Sequence, residues 1–273
     1  MSLAFSFNKF LLIIGKIFEN IEPTIYKTRV ISLNSEDVFM DIYNMSYDEL
    51  VNKIREKFDI DFEEIAVLDT RLVVVKILNL EDYIDKLADQ VQEGERLELP
   101  FWAKIWPTSI LLGYLLHKIP RKRNDSLLEI GAGMGICGLI AAKLGFDVTI
   151  SDIDEDSLLI SQINIIKNNL SENAKVKKID FTRDRLDKKF KYIIGSEVLY
   201  NQEHYRPLVK FFLNHMDKNS TVILAKDYHL KAKKFFKLAK DHFAVEEKYI
   251  GFKEMGNEKG ERHLCSIIRL RLK

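Results

Sequence analysis

From residue 126 onward the apolar positions alternate between two spacings. Short, β-branched runs at Ser126–Ile130, Asp147–Ser151, Lys175–Ile179, Tyr192–Gly195 and Thr221–Ala225 read as buried strands. Between and after them, helical spacing predicts helices at Ile136–Leu144, Ser157–Asn169, Tyr205–Met216 and Leu230–Lys240. Such alternation predicts an α/β fold with a doubly wound, mostly parallel sheet. The last segments break the rhythm. Ala244–Phe252 and His263–Leu272, joined by the charged loop Lys253–Arg262, predict a C-terminal antiparallel hairpin that brings the sheet to seven strands. The first part of the chain is less regular, with helices expected over residues 4–20, Tyr47–Phe58 and Leu80–Val91 and a strand at Leu72–Leu78. The expected organisation is a smaller α+β accessory domain, residues 1–96, followed by the α/β domain, residues 97–273.

Composition narrows the class. A chain of 273 residues with 47% hydrophobic and 30% charged content can bury a core, which argues against disorder or collagen-like repeats. Lys and Arg number 42 against 41 Asp and Glu, so no bulk charge draws the protein to nucleic acid or anionic membrane. The balance conceals an asymmetry, because residues 1–98 carry −9 and residues 99–273 carry +10. That excess of negative charge is expected to guide a basic peptide or to pack against the positive half. The acidic run Asp59, Asp61, Glu63 and Glu64 reads as a solvated face, since its spacing fits no calcium loop and no histidine precedes His117. The apolar run Phe10–Ile14 is too short to span a bilayer and no small-residue cleavage site follows it, which disfavours membrane insertion and secretion. Cys137 and Cys265 belong to no CxxC or Cys/His cluster, so no structural metal or disulfide framework is expected, and a reducing, cytoplasmic setting fits.

The most informative stretch is Leu127-Leu128-Glu129-Ile130-Gly131-Ala132-Gly133-Met134-Gly135, a buried strand entering a glycine-rich turn that opens a helix. Glycines there admit close approach of backbone to ligand, and the helix start offers unpaired N–H groups. Asp152, at the end of the next strand, is placed to accept from ribose hydroxyls. Gly133, Gly135 and Gly138 also satisfy the dinucleotide pattern GxGxxG. Two features favour S-adenosylmethionine (SAM) over NAD. The turn starts at Gly131, directly after the strand, in the register GxGxG, and Glu129 sets beside it a carboxylate suited to a cation and not to a pyrophosphate.

In these motifs the chain resembles the seven-β-strand SAM-dependent methyltransferases, and within them the branch of protein lysine and histidine methyltransferases, over about residues 97–272. Leu128–Gly135 resembles the family's glycine motif and Ser151-Asp152 its ribose-binding acid, with Ile153 alongside. Asp180-Phe181 resembles the branch's Asp-Trp pair bordering the adenine, with Phe for Trp. Gly195-Ser196-Glu197-Val198-Leu199-Tyr200 resembles its Asp-x-x-Tyr motif, with Glu for Asp, and Pro100–Pro107 its Trp-containing lead-in. The resemblance implies cofactor contacts from Trp106, Glu129, Gly131, Gly133 and Gly135, then from Asp152, Ile153, Asp180, Phe181 and Ser196. It implies S-adenosylhomocysteine as product, no metal, and a protein side-chain nitrogen as acceptor.

Methyl transfer is an in-line displacement whose leaving group is already in the sulfonium, so a protein mainly aligns and desolvates the acceptor and removes its proton. Glu197 and Tyr200, after the fourth strand, are the candidate catalytic pair. His229, after the fifth, is a secondary candidate proton acceptor. Lys231, Lys233, Lys234, Lys237 and Lys240 read most simply as an exposed helix face, and docking of an acidic partner or a phosphate backbone is the functional alternative. Other readings are a small-molecule methyltransferase with an enclosed pocket, a non-catalytic SAM-binding module, and a dehydrogenase. Nucleic-acid amine methylation is disfavoured because no Asn/Asp-Pro-Pro-Tyr motif stands at Ser196–Tyr200.

Overall fold

The computed structural model describes residues 42–90, 99–253 and 262–273. The helix expected over residues 4–20, the domain junction at 96/97 and most of the hairpin loop lie outside them. In chain order the elements are α1 (Tyr47–Arg55), β1 (Ile60–Val67), β2 (Thr70–Ile77), α2 (Leu80–Gln90), α3 (Pro107–Leu116), β3 (Ser126–Glu129) and α4 (Ile136–Lys143). There follow β4 (Asp147–Asp152), α5 (Glu155–Lys167), β5 (Ala174–Lys178), β6 (Tyr192–Ser196), α6 (Tyr205–His215), β7 (Thr221–Asp227), α7 (Lys233–Lys240), β8 (Phe243–Lys253) and β9 (Arg262–Leu272).

The strands β3 to β9 form one seven-stranded sheet in the order β5-β4-β3-β6-β7-β9-β8. All neighbours from β5 to β7 pair in parallel, and β9 runs antiparallel to both β7 and β8. The chain leaves β3 towards β4 and β5, then returns across the sheet to β6, so the strand order reverses between β3 and β6. In a doubly wound sheet the crevice at that reversal, outside the carboxyl ends of the strands, is where ligands bind.

Alternation along the central strands divides the interior into two cores. Leu127 of β3 and Tyr192 and Ile194 of β6 enter one; Leu128 and Ile193 enter the other. The first core also takes in Leu50 and Ile54 of α1 and Leu72, Val74 and Val75 of β2, so the described part of the N-terminal segment shares a core with the sheet. Polar side chains fasten it. Asn164 of α5 accepts from the Val75 amide at 2.8 Å, and Asn168 accepts from the Val73 amide at 2.9 Å and donates to the Val73 carbonyl at 2.7 Å. These amides supply the edge of β2 with the partners a further strand would give. Lys57 meets Asp156 at 2.8 Å, so this ion pair across the two segments runs opposite in sign to their net charges.

Two elements were not anticipated. β1 pairs with β2 as a hairpin, and the acidic residues lie along it, where Glu64 pairs with Arg71 at 2.5 Å and Glu63 with Lys76 at 3.1 Å. They are a solvated face, on a strand; among the described residues no group of acids and histidines could hold a metal. α3, within the Trp-containing lead-in, starts at Pro107 in the first helical position, where the missing N–H costs nothing. Some ends also move. α5 begins two residues early because Asp154 caps it, accepting from the Ser157 amide at 2.9 Å, and α7 begins at Lys233 because residues 228–232 form a turn. Cys137 and Cys265 are free and buried, and no helix among the described residues is long and apolar enough to cross a membrane.

Candidate active site

The glycine turn is a device for turning a strand into a helix within five residues. Gly131, Gly133 and Gly135 all have positive φ, between 56° and 76°, a region L side chains rarely occupy. Space is tight as well: a Cβ on Gly131 would lie 2.9 Å from Val198 Cγ1, and one on Gly133 would lie 3.1 Å from the Trp102 carbonyl oxygen, so either would displace its neighbour. The first contact joins the turn to the segment after β6, the second to the lead-in. Gly135 is buried against Ser161 and supports the turn from below.

Two carboxylates brace this turn. Glu129 is 2% exposed and accepts from the Gly138 amide at 2.7 Å, with a further bond from Cys137. Its place is therefore beneath the first turn of α4, whose N-cap, Gly135, has no side chain to offer. Burial nevertheless pushes its carboxyl up to about 8, against the lowering effect of those hydrogen bonds. Asp152 is 8% exposed and accepts from the amides of Gly133, Ile153 and Asp154 at 2.8, 2.7 and 3.1 Å. Burial raises its pKa in spite of these bonds. With the Ser157 side chain as a further donor, Asp152 ties the glycine turn to the end of β4. Ile153 beside it is exposed.

At the end of β5, Asp180 accepts from the Thr182 amide at 2.9 Å and from Arg183 Nε at 2.6 Å. Burial works to raise its pKa, but Thr182 and the Arg183 guanidinium outweigh it and hold the carboxylate ionised. Phe181 is half-buried, with its ring edge-on to His204 at 5.9 Å.

After β6 the chain takes another strained step. Glu197 has φ of +56°, a conformation rare in a non-glycine residue and suggestive of function when it ends a central strand. It is not a helix cap, since the helical turn that follows, Gln202–His204, is capped by Asn201. Its amide donates to the Ala225 carbonyl at 2.9 Å. Burial pushes its carboxyl up to about 7; hydrogen bonds from the Thr108 hydroxyl and the Asp227 amide and the Lys226 charge oppose this, while the Asp227 charge adds to it. Ser196 Oγ donates to Thr108 Oγ1 at 2.8 Å, so Thr108, on the first turn of α3 and 3% exposed, connects Ser196 with Glu197. Tyr200 is 58% exposed at the rim. His229 is exposed and stacks edge-on to Tyr228.

Trp106 turns its indole N–H to the Phe101 carbonyl at 2.9 Å. A file of rings then runs around the mouth: Trp106 to Phe101 at 6.4 Å, Phe101 to Tyr200 at 6.4 Å, Tyr200 to His204 at 6.3 Å, and His204 to Phe181. The sequence-predicted residues therefore lie at the carboxyl ends of β3, β4, β5 and β6, except Trp106, which precedes α3, and His229, which follows β7. Sequence reasoning missed Thr108, Phe101 and His204. Thr108 was findable, because Trp-Pro-Thr marks a helix start; the two rings have no periodic or motif signal.

The sequence profile of the family described as lysine methyltransferase, Methyltransf_16, matches residues 90–242. The chain is 28% identical over 153 residues to protein N-lysine methyltransferase METTL21A of Xenopus tropicalis, covering 54% of this chain and 71% of that protein. To METTL21A of Mus musculus it is 31% identical over 143 residues, covering 50% and 64%. To a histidine protein methyltransferase 1 homolog of Bos taurus it is 27% identical over 162 residues, covering 46% and 43%. Elsewhere the match spans 59% of a human methyltransferase-like protein 21E pseudogene product. Among solved structures, precorrin-6y C5,15-methyltransferase of Geobacter metallireducens superposes with a TM-score of 0.52 at 14% identity, over 60% of this chain and 88% of that one. TrmN of Thermus thermophilus superposes at 0.50 and 17% identity, over 60% and 49%; both speak to the fold. With more than half its length inside one family profile, the chain belongs to the lysine methyltransferase family of SAM-dependent methyltransferases.

Proposed function

We propose that this protein transfers a methyl group from SAM to a nitrogen of a protein side chain, lysine or histidine, with Glu197 as proton acceptor. The observation that carries the reading is Glu197 itself: a strained, half-buried carboxyl with a pKa near 7 just after a central strand, three residues before an exposed tyrosine. A base poised near neutrality is what removal of a proton from an ammonium or imidazolium needs. The open, ring-lined rim at Tyr200 suits a side chain presented by a large partner better than a small molecule that must be enclosed.

The residues fit the donor. The glycine turn leaves backbone at its surface, with Gly131 exposed, and can take the amino-acid end of SAM with Trp106 and Ser196 at its flanks. Asp152 and Ile153 would hold the ribose, and Asp180 and Phe181 the adenine. Glu129 acts through the loop, by capping α4. The donor supplies an activated methyl on a sulfonium. Tyr200 and the neighbouring rings orient the acceptor and exclude water; aromatic faces attract an ammonium group. Glu197 takes the acceptor's proton, and Thr108 and the Asp227 amide keep it aimed. The free thiols at 137 and 265 support a reducing, cytoplasmic setting.

The test is incubation of a lysate with methyl-labelled SAM, resolved into protein and small-molecule fractions. Label in protein lysine or histidine supports the reading, and label confined to metabolites overturns it. In the same assay Glu197→Gln should lower turnover by roughly 10²-fold or more while calorimetric SAM affinity stays within about threefold. Undiminished turnover would remove Glu197 from the mechanism.

A further inference from the structure

A second concavity, with a volume of about 640 Å³, opens between α7, the turn after β7, and β8. Five lysines line it, Lys226, Lys231, Lys233, Lys237 and Lys240, against one acid, Glu247. Three of the lysines follow from the pattern of α7. Phe235 and Ala239 are buried, which turns positions 233, 237 and 240 to one face at i, i+4 and i+7. Like charges at that spacing destabilise a helix by a few tenths of a kcal/mol per pair, and α7 contains no acid to offset them. Lys237 and Lys240, in the last turn, gain from the partial negative charge at the helix C-terminus, whereas Lys233, in the first turn, has no such return.

The one acid is already occupied. Glu247 accepts from the Ser266 and Tyr249 hydroxyls and lies 3.6 Å from Lys226 Nζ. Lys226 is 2% exposed and is the floor of the cavity. Lys231 Nζ sits 4.0 Å over the Tyr228 ring, and Tyr228 packs edge-on to Tyr249 at 5.3 Å. These aromatic rings hold a lysine in place, so one face of Tyr228 is covered and not offered to a nucleic-acid base. The cavity also starts where the chemistry ends: Lys226 stands between Ala225, whose carbonyl receives the Glu197 amide, and Asp227, whose amide bonds the Glu197 carboxyl.

We propose that this cavity docks an Asp/Glu-rich segment of the protein acceptor, adjoining the residue to be methylated. The proposal rests on the protein-acceptor reading above and adds the charge of what is recognised. Carboxylates are drawn into a concavity with an excess of four positive charges, and a segment bound there lies along the end of β7 and the turn after it, beside β6, whose end precedes Glu197.

The test uses the full chain and a fluorescein-labelled Glu-rich peptide, with a Lys-rich peptide and a single-stranded oligonucleotide as comparison probes, read by fluorescence anisotropy. The Glu-rich peptide should bind, lose affinity as salt rises to about 0.5 M, and bind the K233E/K237E/K240E variant roughly tenfold or more weakly. The variant should label lysate proteins with raised KM and unchanged SAM affinity, and K233Q/K237Q/K240Q should fall between, which covers the case that charge reversal perturbs folding. Equal binding to wild type and both variants overturns the proposal, as does an oligonucleotide that binds tighter than the peptide through the same lysines. Label reaching proteins while the Glu-rich peptide fails to bind removes the docking claim alone. Label confined to metabolites removes the acceptor reading, whatever the peptide does.

Discussion

At the scale of single residues, desolvation raises the pKa values of Glu197 and Glu129 well above the ordinary carboxyl range, with different consequences. With Glu197, at about 7, as the proposed proton acceptor, activity should fall as pH drops through 7, because the protonated form cannot accept. The acid limb of a kcat/KM profile should therefore have its midpoint near 7. Thr108 lowers that value by donating to the carboxylate, so Thr108→Val should move the midpoint upward and reduce kcat, and an unmoved profile would show that Thr108 does not act on Glu197. Glu129, at about 8, is held neutral by burial at pH 7. The unfolded chain ionises it near its ordinary value, so stability is greatest below that value and declines as pH rises towards 8, by at most about 1.4 kcal/mol per pH unit. Glu129→Gln keeps an oxygen for the Gly138 amide and removes this term. Its melting temperature should exceed that of the wild type at pH 8.5 and match it at pH 4.5; equal melting at both would deny Glu129 the role.

At the scale of elements, α5 is the joint of the molecule. The side-chain oxygen of Asn164 serves Val75 of the hairpin while its NH2 group donates to the Met134 carbonyl at 3.2 Å, inside the glycine turn. One amide thus fixes the N-terminal hairpin and the donor loop to the same helix. Asn164→Ala leaves a buried N–H and C=O without partners and should cost about 2–4 kcal/mol in denaturant melts, with weaker SAM binding; a loss under about 0.5 kcal/mol would contradict this. The strands and helices of the sheet were legible because a buried parallel strand is a run of apolar residues and its helices have a period. β1 was not, because in its sequence, IDFEEIAV, acids stand on both faces, Glu64 with Ile60 and Phe62 and Asp61 and Glu63 with Ile65 and Val67, so no alternation stands out and the stretch reads as a charged loop. α3 was hidden for the opposite reason: nearly all its residues are apolar, so no amphipathic period stands out, and its Trp-rich approach drew attention from it. Asp152 and the glycines were legible as a motif, whereas the bond from the Gly133 amide to Asp152 at 2.8 Å, which makes the acid a strut besides its proposed role at the ribose, depends on tertiary approach.

At the scale of the whole molecule, charge was visible in the sequence but its use was not. The halves differ by sign, yet the ion pair from the turn after α1 to α5 joins a lysine of the acidic part to an aspartate of the basic part, and five lysines of the basic part collect around a cavity of their own. The two thiols carry a different consequence. Cys137 is 0% exposed in α4, and Cys265 is 2% exposed in β9 opposite Asp227. Burial lifts the first well above its ordinary pKa and the second to about 12, and only a thiolate attacks an alkylating reagent. Iodoacetamide should therefore leave the native protein unmarked at pH 8 and tag each sulfur only when its surroundings open, as peptide mass mapping would reveal; rapid tagging under native conditions would refute this. The pair amounts to two clocks, one ticking with exposure of the helix behind the glycine turn and the other with fraying of the terminal hairpin, and their rates would tell which end of the protein lets go first.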